Sequence, residues 1–156
     1  MILISACLIG ERVRYDGGHK LNQKFKDLVN NGVAKPVCPE ILGGLPTPRE
    51  PAEIIRGNGD DVWANNAKVI SCSGEDVTSY FKEGALKTLD ICKSEKCNLI
   101  VLKQDSPSCG SSTIYSGNFN GEKKEGFGVT TSLLRSHGIE AVSYTHLRAH
   151  ETEADL

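Results

Sequence analysis

Three short apolar runs in this chain each lead into a loop that carries a cysteine. ILIS at residues 2–5 runs into Ala6 and Cys7, VAKPV at 33–37 into Cys38, and LIVL at 99–102 into KQDSPSC, ending at Cys109. Runs this short and this apolar fit strands covered on both faces better than half-exposed ones. Segments of helical spacing separate them: Leu21, Phe25, Leu28 and Val29 within 20–30, and Val77, Phe81, Ala85, Leu89 and Cys92 within 77–93. VTTSLLRSHG predicts a further helix stopped by Gly138, and residues 139–142 a last strand. Strands alternating with helices predict an α/β fold: a single-domain three-layer sandwich with a largely parallel sheet, Rossmann-like but without a dinucleotide fingerprint.

The segments between these elements are read as follows. Pro36 and Pro39 argue against a fully paired central position for the second strand. ILGGLPTPREP at 41–51 reads as a stiff, ordered loop, since proline pins φ and glycine permits close approach. RGNGDDVW at 56–63 reads as a small hairpin insertion leading into a strand at 67–71, and YSGNFNGEKKEGFG at 115–128 as a charged loop. No repeat or internal boundary is evident in the 156 residues, a length that suits one domain.

Charge and hydropathy exclude several classes. Lysine and arginine total 18 against 20 acidic residues, so the net charge of −2 offers no polybasic grip, and a nucleic-acid partner is not expected. No apolar run approaches the ~20 residues of a membrane helix. The N-terminus has no basic stretch before its very short apolar run, so no signal peptide is expected and the predicted location is the cytoplasm. A monomer or weak dimer is expected.

That location bears on the six cysteines. Disulfides belong mainly to exported proteins, and metal or redox chemistry to reducing compartments. No compact CxxC pair is present. Cys7, Cys38 and Cys109 lie at or beyond strand carboxyl ends, the edge of an α/β sheet where ligands gather. Three thiolates converging there could hold an iron–sulfur cluster with one iron free of protein ligands. Ordinary buried thiols are the alternative, and spacing alone leaves both readings open. Cys72, Cys92 and Cys97 read as structural.

Glu40, Asp16, Ser106 and Ser108 are candidates for proton transfer and ligand orientation near such a centre. Each has a plainer reading: an Asx-turn at Asp16, a local backbone cap at Ser106, a solvated Glu40. Lys103, Arg14 and Arg49 are candidate anion or carbonyl binders, His19 and His137 are weak signals, and SPSCGSS offers backbone donors for an anion nest. No Walker A loop, GxSxG elbow or HExxH site is present.

Taken jointly, CLxGxxxRYDG, CPExxGGLxxPRxPxE and LKxxSPSCG, with GVTTSLLRSHGI, make residues 1–142 resemble domain-of-unknown-function family 523. That family includes small cytoplasmic thiouracil desulfurases. The resemblance implies a 4Fe-4S cluster on Cys7, Cys38 and Cys109, Glu40 and Ser106 as the catalytic pair, and Asp16 and Ser108 lining the substrate pocket. It implies sulfur removal from a thiolated pyrimidine such as 2-thiouracil, a small nucleobase substrate, by a non-redox hydrolytic route. A non-catalytic iron–sulfur or sulfide-carrier protein and a cluster-free binding domain are the competing classes. Family members usually continue differently after HGI. Here VSYTHLRAHET resembles translated sequencing-adapter read-through, so residues 143–156 are expected to be a non-native tail.

Overall fold

The computed structural model describes residues 1–6, 19–46 and 49–143. Along them run β1 (Ile2–Ser5), α1 (His19–Asn30), β2 (Ala34–Val37), α2 (Pro39–Leu42), β3 (Ala52–Ile55), α3 (Gly59–Trp63), β4 (Lys68–Ser71), α4 (Thr78–Ser94), β5 (Leu99–Leu102), β6 (Thr113–Tyr115), β7 (Lys123–Glu125), α5 (Val129–Ser136) and β8 (Glu140–Ser143). The three apolar runs and the last predicted strand form one parallel sheet in the order β2-β1-β5-β8.

Strand alternation sorts their side chains onto two faces. Leu3, Val37, Ile100, Leu102 and Ala141 pack with Leu89 and Cys92 of α4 and Leu134 of α5. Ile4, Ala34, Val101 and Val142 pack instead with Phe25 of α1. The result is the expected three-layer sandwich. Each fully buried Leu or Ile contributes about 1.5–3 kcal/mol, so these two faces outweigh exposed ion pairs such as Lys35–Glu95, at ~0–1 kcal/mol. β2 lies at an edge of the sheet, where Pro36, opposite Ile4, leaves no central ladder bond unmade.

A second core extends the sandwich. Ile54 of β3, Val62 of α3, Val69 of β4, Phe81 and Ala85 of α4, Ile114 of β6 and Val129 of α5 are buried together. Here the structure departs from the sequence reading in three places. The 41–51 loop gives up Ile41 and Leu42 to α2. β3 and β4 do pair antiparallel, but the segment joining them folds into α3 rather than a tight turn. Asn58 starts that helix with a capping box: its side chain accepts from Asp60 and Asp61 N–H, and Asp61 answers to the Asn58 N–H. The charged 115–128 segment is not all loop. It supplies the end of β6 and all of β7, an antiparallel hairpin.

Candidate active site

The register of the sheet sets the geometry of the site. Ser5 lies opposite Val37, Ile4 opposite Val101, and Leu102 opposite Ser143, so the carboxyl ends of all four strands are level. β1 stands between β2 and β5, the place where the strand order reverses. The segments bearing Cys38 and Cys109 therefore leave the sheet on either side of the one bearing Cys7. Cys7 and Asp16 lie outside the described residues.

Cys38 sits in extended backbone as the N-cap residue of α2, half-buried, and its carbonyl accepts the Leu42 N–H at 3.0 Å. Pro39 at the first helical position suits this turn, since the N–H it lacks would have no helical partner there. Glu40 falls in the first turn. The turn is held by a close crossing on α4: a Cβ at Gly43 would strike the Tyr80 carbonyl oxygen, and one at Gly84 would strike that of Pro39. The Glu40 carboxylate does not simply face water. Arg49 Nη2 donates to its Oε1 at 2.5 Å, both side chains are about one-fifth exposed, and Arg49 Nη1 reaches the Pro46 carbonyl at 3.3 Å.

The SPSCG turn is held from two sides. Ser106 Oγ accepts the Cys109 N–H at 2.7 Å and the Ser108 N–H at 3.2 Å, and its carbonyl accepts the Gly110 N–H at 2.9 Å. With two acceptor positions filled, the hydroxyl keeps its O–H to donate. Across the turn lies the start of α5. The N–H groups of Val129 and Thr130 donate to the carbonyls of Pro107 and Ser108 at 2.7 and 2.9 Å, so the turn itself satisfies the first donors of the helix. Gly128 lets the backbones meet, since a Cβ there would stand 2.5 Å from the Ser108 carbonyl. Thr131 Oγ1 donates to the Cys109 carbonyl at 3.0 Å.

Ser108 is the residue of this turn expected to line the pocket. It is buried, and its hydroxyl is shared with Thr130 Oγ1 at 2.7 Å, so it anchors the turn to α5. Thr130 and Thr131 were not anticipated. Their signal was two hydroxyl residues at the start of an apolar-faced helix. Cys92, Cys97 and Cys109 are buried in one core cluster, and Cys72 is exposed. Among the described residues, no group of three or more His, Cys, Asp or Glu gathers to hold a metal ion. None of their helices is long and apolar enough to cross a membrane.

The fold defines a small α/β protein in which Cys38 and Cys109 follow the carboxyl ends of two strands of a parallel sheet. Residues 2–146 match the model of the 2-thiouracil desulfurase family, and the chain belongs to that family. It is 49% identical over 147 residues to Uncharacterized protein YbbK of Bacillus subtilis (strain 168), covering 94% of this chain and 97% of that protein. Among solved structures it is similar to the 4Fe-4S-dependent thiouracil desulfidase TudS. The two are 41% identical, with a TM-score of 0.80 over 99% of this chain and 97% of that one.

Proposed function

We propose that this protein is a 4Fe-4S-dependent desulfurase that removes sulfur from a thiolated pyrimidine such as 2-thiouracil, giving uracil and sulfide. The observation that carries this reading is the likeness to the thiouracil desulfidase across nearly the whole of both chains. The donor set fits the cluster: thiols on segments leaving three adjacent strands, the ligand type that iron–sulfur clusters take. Cys7, Cys38 and Cys109 would hold it. When bound, it would supply an iron without a protein ligand, a Lewis acid suited to a soft thiocarbonyl sulfur.

The chain's own groups supply the rest. Arg49 occupies Glu40 Oε1 and fixes the plane of the carboxylate, leaving Oε2 to take a proton from water attacking C2. Ser106, with both acceptor positions on its oxygen used by backbone N–H groups, presents its O–H as a donor to the ring. Asp16 would line the same pocket. Water enters and hydrogen sulfide leaves, so the sum is hydrolysis without net electron transfer. A thiolate-held cluster suits the reducing cytoplasm, where we place the reaction.

Anaerobic reconstitution followed by sulfide release from 2-thiouracil and 4-thiouracil tests this directly. Cys109→Ala should lose the cluster's visible absorbance together with turnover. Glu40→Gln should keep the absorbance and lose turnover. A fully loaded cluster with no sulfide release from either base would remove the enzyme reading and leave a carrier.

A further inference from the structure

We propose that Asp105 is a positioning residue for Ser106, held by the β6–β7 hairpin so that the SPSCG turn presents the serine hydroxyl. This rests on the desulfurase reading and on the role given there to Ser106.

Asp105 is the residue through which the chain enters the turn. Its φ of 71° is in the left-handed region, which a residue with a Cβ occupies at a cost in free energy. Aspartate tolerates the region better than most residues, and here its side chain is tied down on both oxygens. Thr113 Oγ1 of β6 donates to Oδ1 at 2.6 Å, and Lys123 Nζ of β7 donates to Oδ2 at 2.9 Å. A parallel bridge between Asp105 and Ile114 fixes the backbone at the same place. One carboxylate thus joins the entry of the turn to both strands of the hairpin. Lys123 is about half exposed, so its ion pair is screened, and the Thr113 hydroxyl is the firmer tie.

The consequence falls on the next residue. The direction of the Ser106 side chain follows from the backbone angles by which Asp105 delivers it. Relaxation of Asp105 to negative φ would redirect the peptide joining the two residues and swing the hydroxyl away from the Ser108 and Cys109 N–H groups. The Cys109 carbonyl is held separately by Thr131, and the carbonyls of Pro107 and Ser108 by α5. The cysteine end of the turn therefore has anchors of its own, and losing the Asp105 tie bears on the serine rather than on the cluster ligand.

The experiment uses the reconstituted protein with 2-thiouracil. Asp105→Ala should lower kcat about 10-fold, with KM within about twofold of wild type and cluster absorbance unchanged, as for a misplaced catalytic group. Asp105→Asn keeps an acceptor for Thr113 and tolerates the left-handed region, and should restore most of kcat. Thr113→Val, which leaves the aspartate in place, should lower kcat in the same manner by a smaller factor and serves if Asp105→Ala folds poorly. In a Ser106→Ala background, Asp105→Ala should change the residual turnover less than about twofold. Unchanged kcat in both Asp105→Ala and Thr113→Val, or loss of cluster absorbance in either, overturns the proposal. An inactive Ser106→Ala beside fully active Asp105→Ala and Thr113→Val defeats only this inference. A fully active Ser106→Ala defeats the role of Ser106 as well.

Discussion

At the scale of single residues, burial sets the state of the Cys92 thiol. Cys92 is enclosed by the sheet core, and burial foremost, then the neighbouring Cys97 charge and hydrogen bond, push its thiol from 9.0 up to about 12. The folded chain then keeps a proton that the unfolded chain releases. The stability this carries is fully present below about pH 9 and is lost as pH rises toward 12. Denaturant unfolding between pH 8 and 11 should show stability falling in the wild type and falling less steeply in Cys92→Val. Equal slopes would mean that other groups set the alkaline limit. The Glu40–Arg49 pair makes a second prediction. Arg49→Met should lower kcat about 10-fold with the cluster retained, and Arg49→Lys should recover part of it; an unchanged kcat would show that Glu40 orients without it. Cys92 was legible as a core residue because it continues a stripe of helical period. The Glu40–Arg49 pair was not, because eight residues of proline- and glycine-rich chain separate the partners and only the folded path of that loop decides whether they meet.

At the scale of elements, the site depends on how closely α2 crosses α4. Two glycines, 43 and 84, let the backbones meet where any Cβ would collide with a carbonyl oxygen. This sets two effects of Gly84→Ala against each other. Alanine in a helix interior gains about 1 kcal/mol over glycine, while overfilling a packed contact costs about 1–3 kcal/mol. The opposing atom is backbone and cannot swing aside, so the collision should win. Gly84→Ala should lower Tm by several degrees and also reduce cluster loading, because the displaced α2 bears Glu40 and is capped by Cys38. A raised Tm with normal loading would refute the tight crossing. The sheet strands and the long helices could be read in advance, since burial on both faces or along one stripe leaves a period in the sequence. α3 left only its capping signal, Asn58 followed by Asp61. The β6–β7 hairpin left less: among its paired residues only Ile114 is fully buried, and KKE shows no apolar alternation.

At the scale of the whole molecule, the question is where the cooperative unit ends. β8 finishes at Ser143, one residue past the domain limit expected from sequence, and that serine pairs with Leu102 at the level edge of the sheet. Ala141, Val142 and Ser143 are all buried, and Arg135 Nη2 of α5 donates to the Ala141 carbonyl at 2.9 Å. The strand therefore belongs to the core that supports the site, and the family match continues to residue 146. Residues 144–156 lie outside the described residues, and we propose that the end of the chain is dispensable to the fold. Deleting 147–156 should leave Tm, cluster loading and sulfide release unchanged. Deleting from Glu140 onward should be severe, because it strips β5 of its outer partner and uncovers Ile100, Val101 and Leu102, each worth about 1.5–3 kcal/mol when buried. Far-ultraviolet circular dichroism of the two truncations, followed on heating, separates the cases. A lowered Tm in the shorter deletion would show that the tail contributes to the fold, and a cooperative, cluster-loaded protein lacking β8 would show that the sheet closes without its last strand.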